Sequence, residues 1–487
     1  MHASKPADAS APGTTMRDVQ RLLDSETGAR GQKGGAAVVL LVVPLLWSLF
    51  QLWIASPLPF ALNFGVFNST EARAIHLAFA LFLAFSAFPM FKGRVSPRVP
   101  WYDWLLALAG AYSAAYLYIF QHELATRSGA PVLQDLVVAG VGVVLLLEAT
   151  RRALGLPLTV VALVFLVYTF AGPYMPDVID HKGASFSKVA SHQWLTAEGV
   201  FGVALGVSTS FVFLFVLFGA MLEKAGAGGY FIRLAYALLG HMRGGPAKAA
   251  VVSSGLSGLI SGSSIANVVT TGTFTIPLMK RVGFSPVKAG AVEVAASTNG
   301  QLTPPIMGAA AFLMVEYVGI SYLEVIKHAI LPAFISYVAL FYIVHLEACK
   351  LGMQGLPRAH VPTLAQRLLS WGTLLIGLMI LTLVIYYGVG WLKVWLGEYA
   401  TWVLAGLLVL VYVVTLKATA RYVPDDPHAE PELDVLPRPG PTLKSGLHYL
   451  LPVVLMLWCL TVERFSPELS AFWATVFLGG IMVTQRP

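Results

Sequence analysis

The sequence predicts an all-α, polytopic integral membrane protein, and three observations predict it. Of its 487 residues 57% are hydrophobic and only 12% are charged, too few charges to clothe a soluble body of that size. Apolar runs close to the ~20 residues that cross a bilayer recur along most of the chain. These runs lack the alternation of a strand, and lipid offers the backbone no hydrogen-bond partner, so they must satisfy their amides internally as helices.

The formal charge of +7 does not point to nucleic acid, because the Lys and Arg sit in short loops between apolar runs, where the positive-inside rule places them. Cys349 and Cys459 lie near or within apolar segments, far apart in sequence, and read as free thiols. Residues 1–35 form a polar tail whose Lys5, Arg17, Arg21, Arg30 and Lys33 place the N-terminus in the cytoplasm. Ala36–Ala55 is too long for a signal-peptide core and reads as a retained first span. Ala74–Phe91, Trp101–Phe120, Leu133–Ala149 and Leu158–Tyr174 follow, so that residues 36–180 make a first membrane block. The loops carrying Lys92, Arg94 and Arg98, and Arg151 and Arg152, both fall inside on this count.

Residues 181–352 make a second block. Gly199–Leu222 returns to the cytoplasm, and Tyr230–Met242 is an amphipathic stretch suited to the interface plane. Residues 353–487 add connecting spans at Leu369–Val389, Ala400–Leu416, Leu447–Val462 and Leu469–Thr484, preceded by Val325–Ala348. The segment 417–444, rich in Pro, Asp and Glu, reads as a cytoplasmic connector. The total is about twelve spans plus one re-entrant hairpin.

The chemistry concentrates between Ala247 and Tyr317. The apolar run Ala247–Ile260 is too short to cross before it meets Ser261-Gly262-Ser263-Ser264, and Ile265–Met279 then returns to Lys280 and Arg281. With Lys248 and Lys280 at its two ends, residues 247–280 describe a re-entrant hairpin whose tip lies near the midplane. Residues 287–318 describe a broken helix: Val287–Ala296 leads into Ser297-Thr298-Asn299-Gly300-Gln301-Leu302-Thr303-Pro304-Pro305 before the apolar run resumes. Gly and paired prolines interrupt the i→i−4 ladder and free carbonyls, which survive in a membrane where they line a cavity or hold an ion. Secondary transporters use discontinuous helices in this way.

Ser261, Ser263, Ser264, Asn267, Ser297, Thr298, Asn299 and Thr303 offer the neutral oxygens that suit a hard monovalent cation such as Na⁺, and Gly262 and Gly300 permit close backbone approach. Ser253, Gly255 and Ser257 read instead as small residues for helix packing. Glu293, ionisable within a span, is a functional position by default, and a hydrated cavity or a pairing with Lys288 also fits it. Glu148 beside Arg151 and Arg152, Glu223 beside Lys224, and Asp135 and His122 near outer span ends read as orienting or packing charges. No Walker loop, CxxC, HExxH or GxSxG motif occurs, and the spans lack a His cluster or carboxylate pair, so the chain is expected to be neither an ATPase nor another enzyme, and to use no cofactor beyond Na⁺ as coupling ion.

The segments SGLISGSSIANVVTTGTFTIPLMKRVG and AASTNGQLTPPIMGAAAF resemble those of TRAP transporters, the tripartite ATP-independent periplasmic class. The likeness is to fused permeases of the TAXI-associated branch, in which small and large membrane subunits form one polypeptide, and it is most specific over Gly199–Gly352. It implies an elevator-type, Na⁺-driven symporter in a bacterial inner membrane that takes organic acids from a periplasmic solute-binding protein. The family also implies a second, inverted copy of hairpin and broken helix. Met353–Pro487 shows neither a second Gly/Ser-rich tip nor a second Asn/Thr-Pro break. The expectation is therefore one half of a transport site, from a truncated permease or one completed by a separate chain. The alternative is a non-transporting membrane assembly subunit.

The charge pattern generates a direct test of orientation. Cysteines introduced at Ser10 and Asp180 are expected to differ, only the second reacting in intact cells with an impermeant thiol reagent above the parent chain's signal. Labelling of both positions, or the reverse pattern, contradicts the assignment.

Overall fold

The computed structural model describes residues 35–91, 99–127, 129–357, 387–420 and 436–485, with Tyr422 and scattered positions between 363 and 383. The tail before Gly35, the Lys92–Arg98 loop, much of the span expected at Leu369–Val389 and half of the 417–444 connector lie outside the described residues. Within them the fold is all-helical, without a strand. Eight helices are long and apolar enough to cross a membrane, and Ala227–Leu239, Ala309–Val318 and Leu447–Thr461 are shorter apolar helices. Trp101–Ile119 is helical as expected but is not one of these eight. The chain divides into two compact units between Phe213 and Leu214.

The first unit contains α1 (Gly35–Ala55), α2 (Ser69–Ala87), α3 (Trp101–Ile119), α4 (Leu133–Ala153) and α5 (Leu156–Ala171). A capping box at Asn68 and Glu71 starts α2 by satisfying two amides that the first turn leaves free. Leu77, Leu81 and Phe85, one stripe of α2 at helical spacing, pack on Ala107, Ala114 and Leu117 of α3 and on Ala139 and Leu145 of α4. Small residues let these helices close: a Cβ on Gly110 would lie 3.3 Å from that of Leu81.

Buried charges fasten the bundle at two levels. Arg152 donates to Asp103 at 2.7 Å, with both side chains fully buried, and its Nε donates to Glu148, also at 2.7 Å. Arg152 thus ties α4 to α3, a more interior role than the orienting charge expected from sequence. Asp135 accepts from the Tyr116 hydroxyl at 2.6 Å, from Arg127 at 2.8 Å and from the Val132 amide at 3.0 Å. Ion pairs of this kind survive in lipid because each charge has a hydrogen-bonded partner. His76 accepts at Nδ1 from Trp47 and Gln51, which leaves its Nε2 hydrogen for Ser208, 3.2 Å away.

The second unit contains α6 (Phe213–Ala225), α7 (Ala227–Leu239), α8 (Gly245–Ser261), α9 (Ser264–Arg281), α10 (Pro286–Gly300), α11 (Ala309–Val318), α12 (Tyr322–Lys350), α13 (Ala400–Thr419), α14 (Leu447–Thr461) and α15 (Pro467–Thr484). The base of its core gathers Ala247 from α8, Met279 from α9, Phe284 from the turn before α10, Ala289 from its first turn, and Val344 and Ala348 from the end of α12. The amphipathic α7 differs from expectation. Its Ala235 and Tyr236 pack on Ala249, Leu278 and Leu436, so that its apolar face covers protein.

A helical hairpin and an interrupted helix at the candidate site

Gly262 ends α8 in the left-handed region at φ 59°, and its amide donates back to Gly258. Ser263 is extended and caps α9, accepting from the Ala266 amide at 3.3 Å. Two residues therefore reverse the chain between two helices. A Cβ on Gly262 would lie 2.6 Å from the Met307 carbonyl oxygen, so both the backbone conformation and the space select glycine.

The second interruption lies between α10 and α11. Pro304 and Pro305 have no amide hydrogen and cannot continue α10. The carbonyls that they leave are taken up locally: Gly300 O accepts from Thr303 N at 3.1 Å and Gln301 O from Gly308 N at 2.7 Å. Each carbonyl keeps a second lone pair. The Tyr322 hydroxyl bonds to the carbonyls of Pro305 and Ile306, which pins the loop to α12.

Tip and break pack on each other. Gln301 Nε2 donates to Ser264 Oγ at 3.0 Å, and Gly262 faces Met307. Below them, a Cβ on Gly258 would lie 2.6 Å from Gly300 Cα, and one on Gly300 would lie 2.7 Å from Gly258 Cα. The backbones of α8 and α10 are in contact at this crossing.

The crossing encloses a polar cluster. Asn267, 1% exposed, donates through Nδ2 to Ser254 O at 2.8 Å, Ser254 Oγ at 2.9 Å and Ser297 Oγ at 3.2 Å. The carbonyl partner fixes the amide's orientation, because only Nδ2 can donate to it. Its Oδ1 is consequently buried with no hydrogen-bond partner. Glu293, fully buried, accepts from the hydroxyls of Thr271 and Thr275, the latter at 2.6 Å, and faces Ser297 Oγ at 3.4 Å. Thr271 can alternatively donate to Asn267 O at 2.7 Å. Because a hydroxyl has one hydrogen, the cluster can satisfy a carboxylate or a protonated Glu293 by redirecting that one bond.

Of the residues singled out in the sequence, the structure brings Asn267 and Ser297 into this cluster, and Ser264 against Gln301 across tip and break. Gly300 forms the crossing. Ser261 donates to Ser263 O at 3.3 Å within the tip. Asn299 lies on another side of α10 and accepts from Ser336 of α12 at 2.7 Å. Thr303 donates to Asn299 O, and the exposed Thr298 donates to Val294 O, each within its own segment. Lys288 pairs with Glu347 of α12, not with Glu293. Ser254, Thr271 and Thr275 do not stand out in the sequence, and Glu293 does so only as an ionisable residue within a span. Their signal is the i, i+4 stripe Asn267, Thr271, Thr275 on one helix and Glu293, Ser297 on the next.

A helical membrane protein that packs a hairpin tip against a broken helix around buried polar groups has the architecture of a secondary transporter. Residues 141–484 match the family model described as "Tripartite ATP-independent periplasmic transporter, DctM component", and the chain belongs to that family. It is a transport-family protein and not an enzyme. It is 30% identical over 166 residues to the C4-dicarboxylate TRAP transporter large permease protein DctM of Pseudomonas aeruginosa, covering 33% of this chain and 38% of that one. The protein of the same description from Vibrio cholerae is 34% identical over 126 residues, 26% of each chain. The uncharacterized protein YgiK of Salmonella typhimurium is 34% identical over 91 residues, 19% of this chain and 21% of its own. The matched stretches thus span between about a fifth and two fifths of these relatives.

The glycine crossing is testable. Gly300→Ala forces α8 and α10 apart and is expected to cost about 1–3 kcal/mol as an overpacked contact. Gly290→Ala, where an added Cβ meets nothing within 4 Å, is the control. Thermal unfolding in detergent should separate the two. Equal melting temperatures contradict a tight crossing.

Proposed function

We propose that this chain is the permease of a tripartite, ATP-independent transporter in which a Na⁺ gradient drives uptake of an organic acid delivered by a periplasmic solute-binding protein. C4-dicarboxylates are the class for which the similar Pseudomonas and Vibrio permeases are named. In this reading residues 36–180 act as the small subunit of the same assembly, the N-terminus is cytoplasmic, and the membrane is the inner membrane of a bacterium. The other wall of the substrate site comes from an inverted counterpart of the hairpin and broken helix, in the same polypeptide or in a second one. Membership of a transport family favours this over a non-transporting assembly subunit.

The observation that carries the cation assignment is the buried, unbonded Oδ1 of Asn267. An amide oxygen without a donor in a dry interior is costly, and a cation repays that cost. Ser254 and Ser297 supply neighbouring oxygens, and Glu293 supplies charge one hydroxyl away. Ser261, Ser263, Ser264 and Thr303, partly accessible at the tip and break, are the residues proposed to meet ion and substrate from the open side. The elevator part of the proposal rests on the number of ties among α8, α9 and α10. A unit joined by the glycine crossing, the Asn267 bonds and the Glu293 bonds would move as one body.

Uptake measured against Na⁺ concentration, in the complete transport system with its binding protein, tests the assignment. Asn267→Ala, Ser297→Ala and Ser263→Ala each remove an oxygen worth ~1–3 kcal/mol, which corresponds to roughly 5- to 150-fold in half-maximal Na⁺. An unchanged Na⁺ dependence in all three variants contradicts the site. Equal uptake in sodium-free buffer contradicts the coupling.

A further inference from the structure

Along the second unit, α8 and α12 leave between them an apolar groove of about 480 Å³. Gly255, Leu256 and Leu259 form one wall, and Phe334, Val338 and Phe341 lie along the other. The α12 stripe runs from Phe334 to His345, eleven steps of 1.5 Å or about 16 Å, close to half of the ~30 Å hydrocarbon core of a bilayer. Thr303, at the helix break, lines the groove together with these residues. His345 lies near the end of α12, where the bases of α8, α9 and α10 also gather. The groove therefore has the depth of one leaflet, with one end at the level of the basic helix ends and the other beside the break.

Next to His345 lies a charge without a counter-charge among the described residues. Lys248, one turn before Val251 on α8, is 2% exposed, its Nζ 3.0 Å from His345 Nδ1 and 5.2 Å from the ring centre of Phe341. Both contacts line the groove. No carboxylate lies within 4 Å of Lys248 among the described residues, and the neighbouring Glu347 is occupied by Lys288. A buried ammonium that meets an imidazole nitrogen and an aromatic face still bears most of its desolvation cost.

From these observations we infer that the groove holds an acyl chain of one anionic phospholipid, whose headgroup phosphate is bound by Lys248 and His345. The apolar groove alone would accept a tail of any lipid or an apolar helix of the protein. Lys248 selects among them, because an anionic headgroup brings a charge that a neutral lipid or an apolar helix does not. The tail would then end beside Thr303, placing a lipid against the segment that interrupts α10.

Native mass spectrometry of the detergent-solubilised protein, with dioleoyl phosphatidylglycerol or dioleoyl phosphatidylcholine added, tests this. One phosphatidylglycerol per chain is expected, retained at least about five-fold more than phosphatidylcholine, the preference that one lysine gives. Lys248→Met should abolish the preference, Lys248→Arg should preserve it, and Val338→Trp, which fills the groove, should remove the bound lipid. Equal retention of the two lipids by the unaltered protein overturns the proposal, as does no retained lipid, which assigns the groove to a protein segment. Because those two results need no variant, a misfolded variant does not shelter the proposal. Undiminished preference in a folded Lys248→Met overturns it as well.

Discussion

The contact between Gly258 and Gly300 is the constraint on which the second unit depends. Two helices whose backbones touch bring every group on their facing sides within side-chain reach. Ser254, one turn below Gly258, thereby meets Ser297, just before Gly300, with 3.0 Å between their hydroxyls. Asn267 reaches both from the second arm of the hairpin. One turn further along that arm, Thr271 and Thr275 hold the Glu293 carboxyl, which a side chain at Gly272 would crowd, an added Cβ lying 3.1 Å from Glu293 Cγ. The interruptions follow from the same contact, since the tip that closes over the crossing ends in the one residue that fits against Met307.

Both units place ionisable groups inside an apolar body, with different chemistry. In the first, Asp103 and Asp135 face arginines, and the charges cancel in fixed pairs that join helices. In the second, Glu293 is surrounded by hydroxyls and Lys248 by an imidazole and a phenyl ring. Salt bridges saturate each other and fasten a scaffold. Hydroxyls and amides can turn toward another cation, and a lysine lacking a carboxylate can accept an anion. The distribution suits a first unit built for rigidity and a second built around exchangeable partners.

Much of this was legible in the sequence because lipid removes choices. Apolar runs had to be helices, and the places where they could not continue, Ser261–Ser264 and Gly300–Pro305, stood out against their surroundings. What sequence could not supply was the rotation of each helix. Asn299 and Ser297 are two residues apart, yet one bonds to α12 and the other joins the cluster. Thr271 and Thr275 resembled ordinary packing residues until the neighbour carrying Glu293 was in place. The amphipathic α7 illustrates the same limit: its pattern demanded a covered face, and whether lipid or protein covered it depended on the position of Leu278 and Leu436.

If hairpin tip and helix break form one site, residues on the two must be neighbours in the membrane. Cysteines placed at Ser264 and Gln301, whose native side chains bond at 3.0 Å, should be bridged by a short bifunctional thiol reagent in native membranes when Cys349 and Cys459 have been replaced. Peptide mass spectrometry would report the linked fragments, with the pair Ser264 and Thr298, the latter exposed on α10, as the comparison. Efficient linkage is expected for the first pair and little for the second. Failure of the first pair to link, or equal linkage of both, would contradict a shared site.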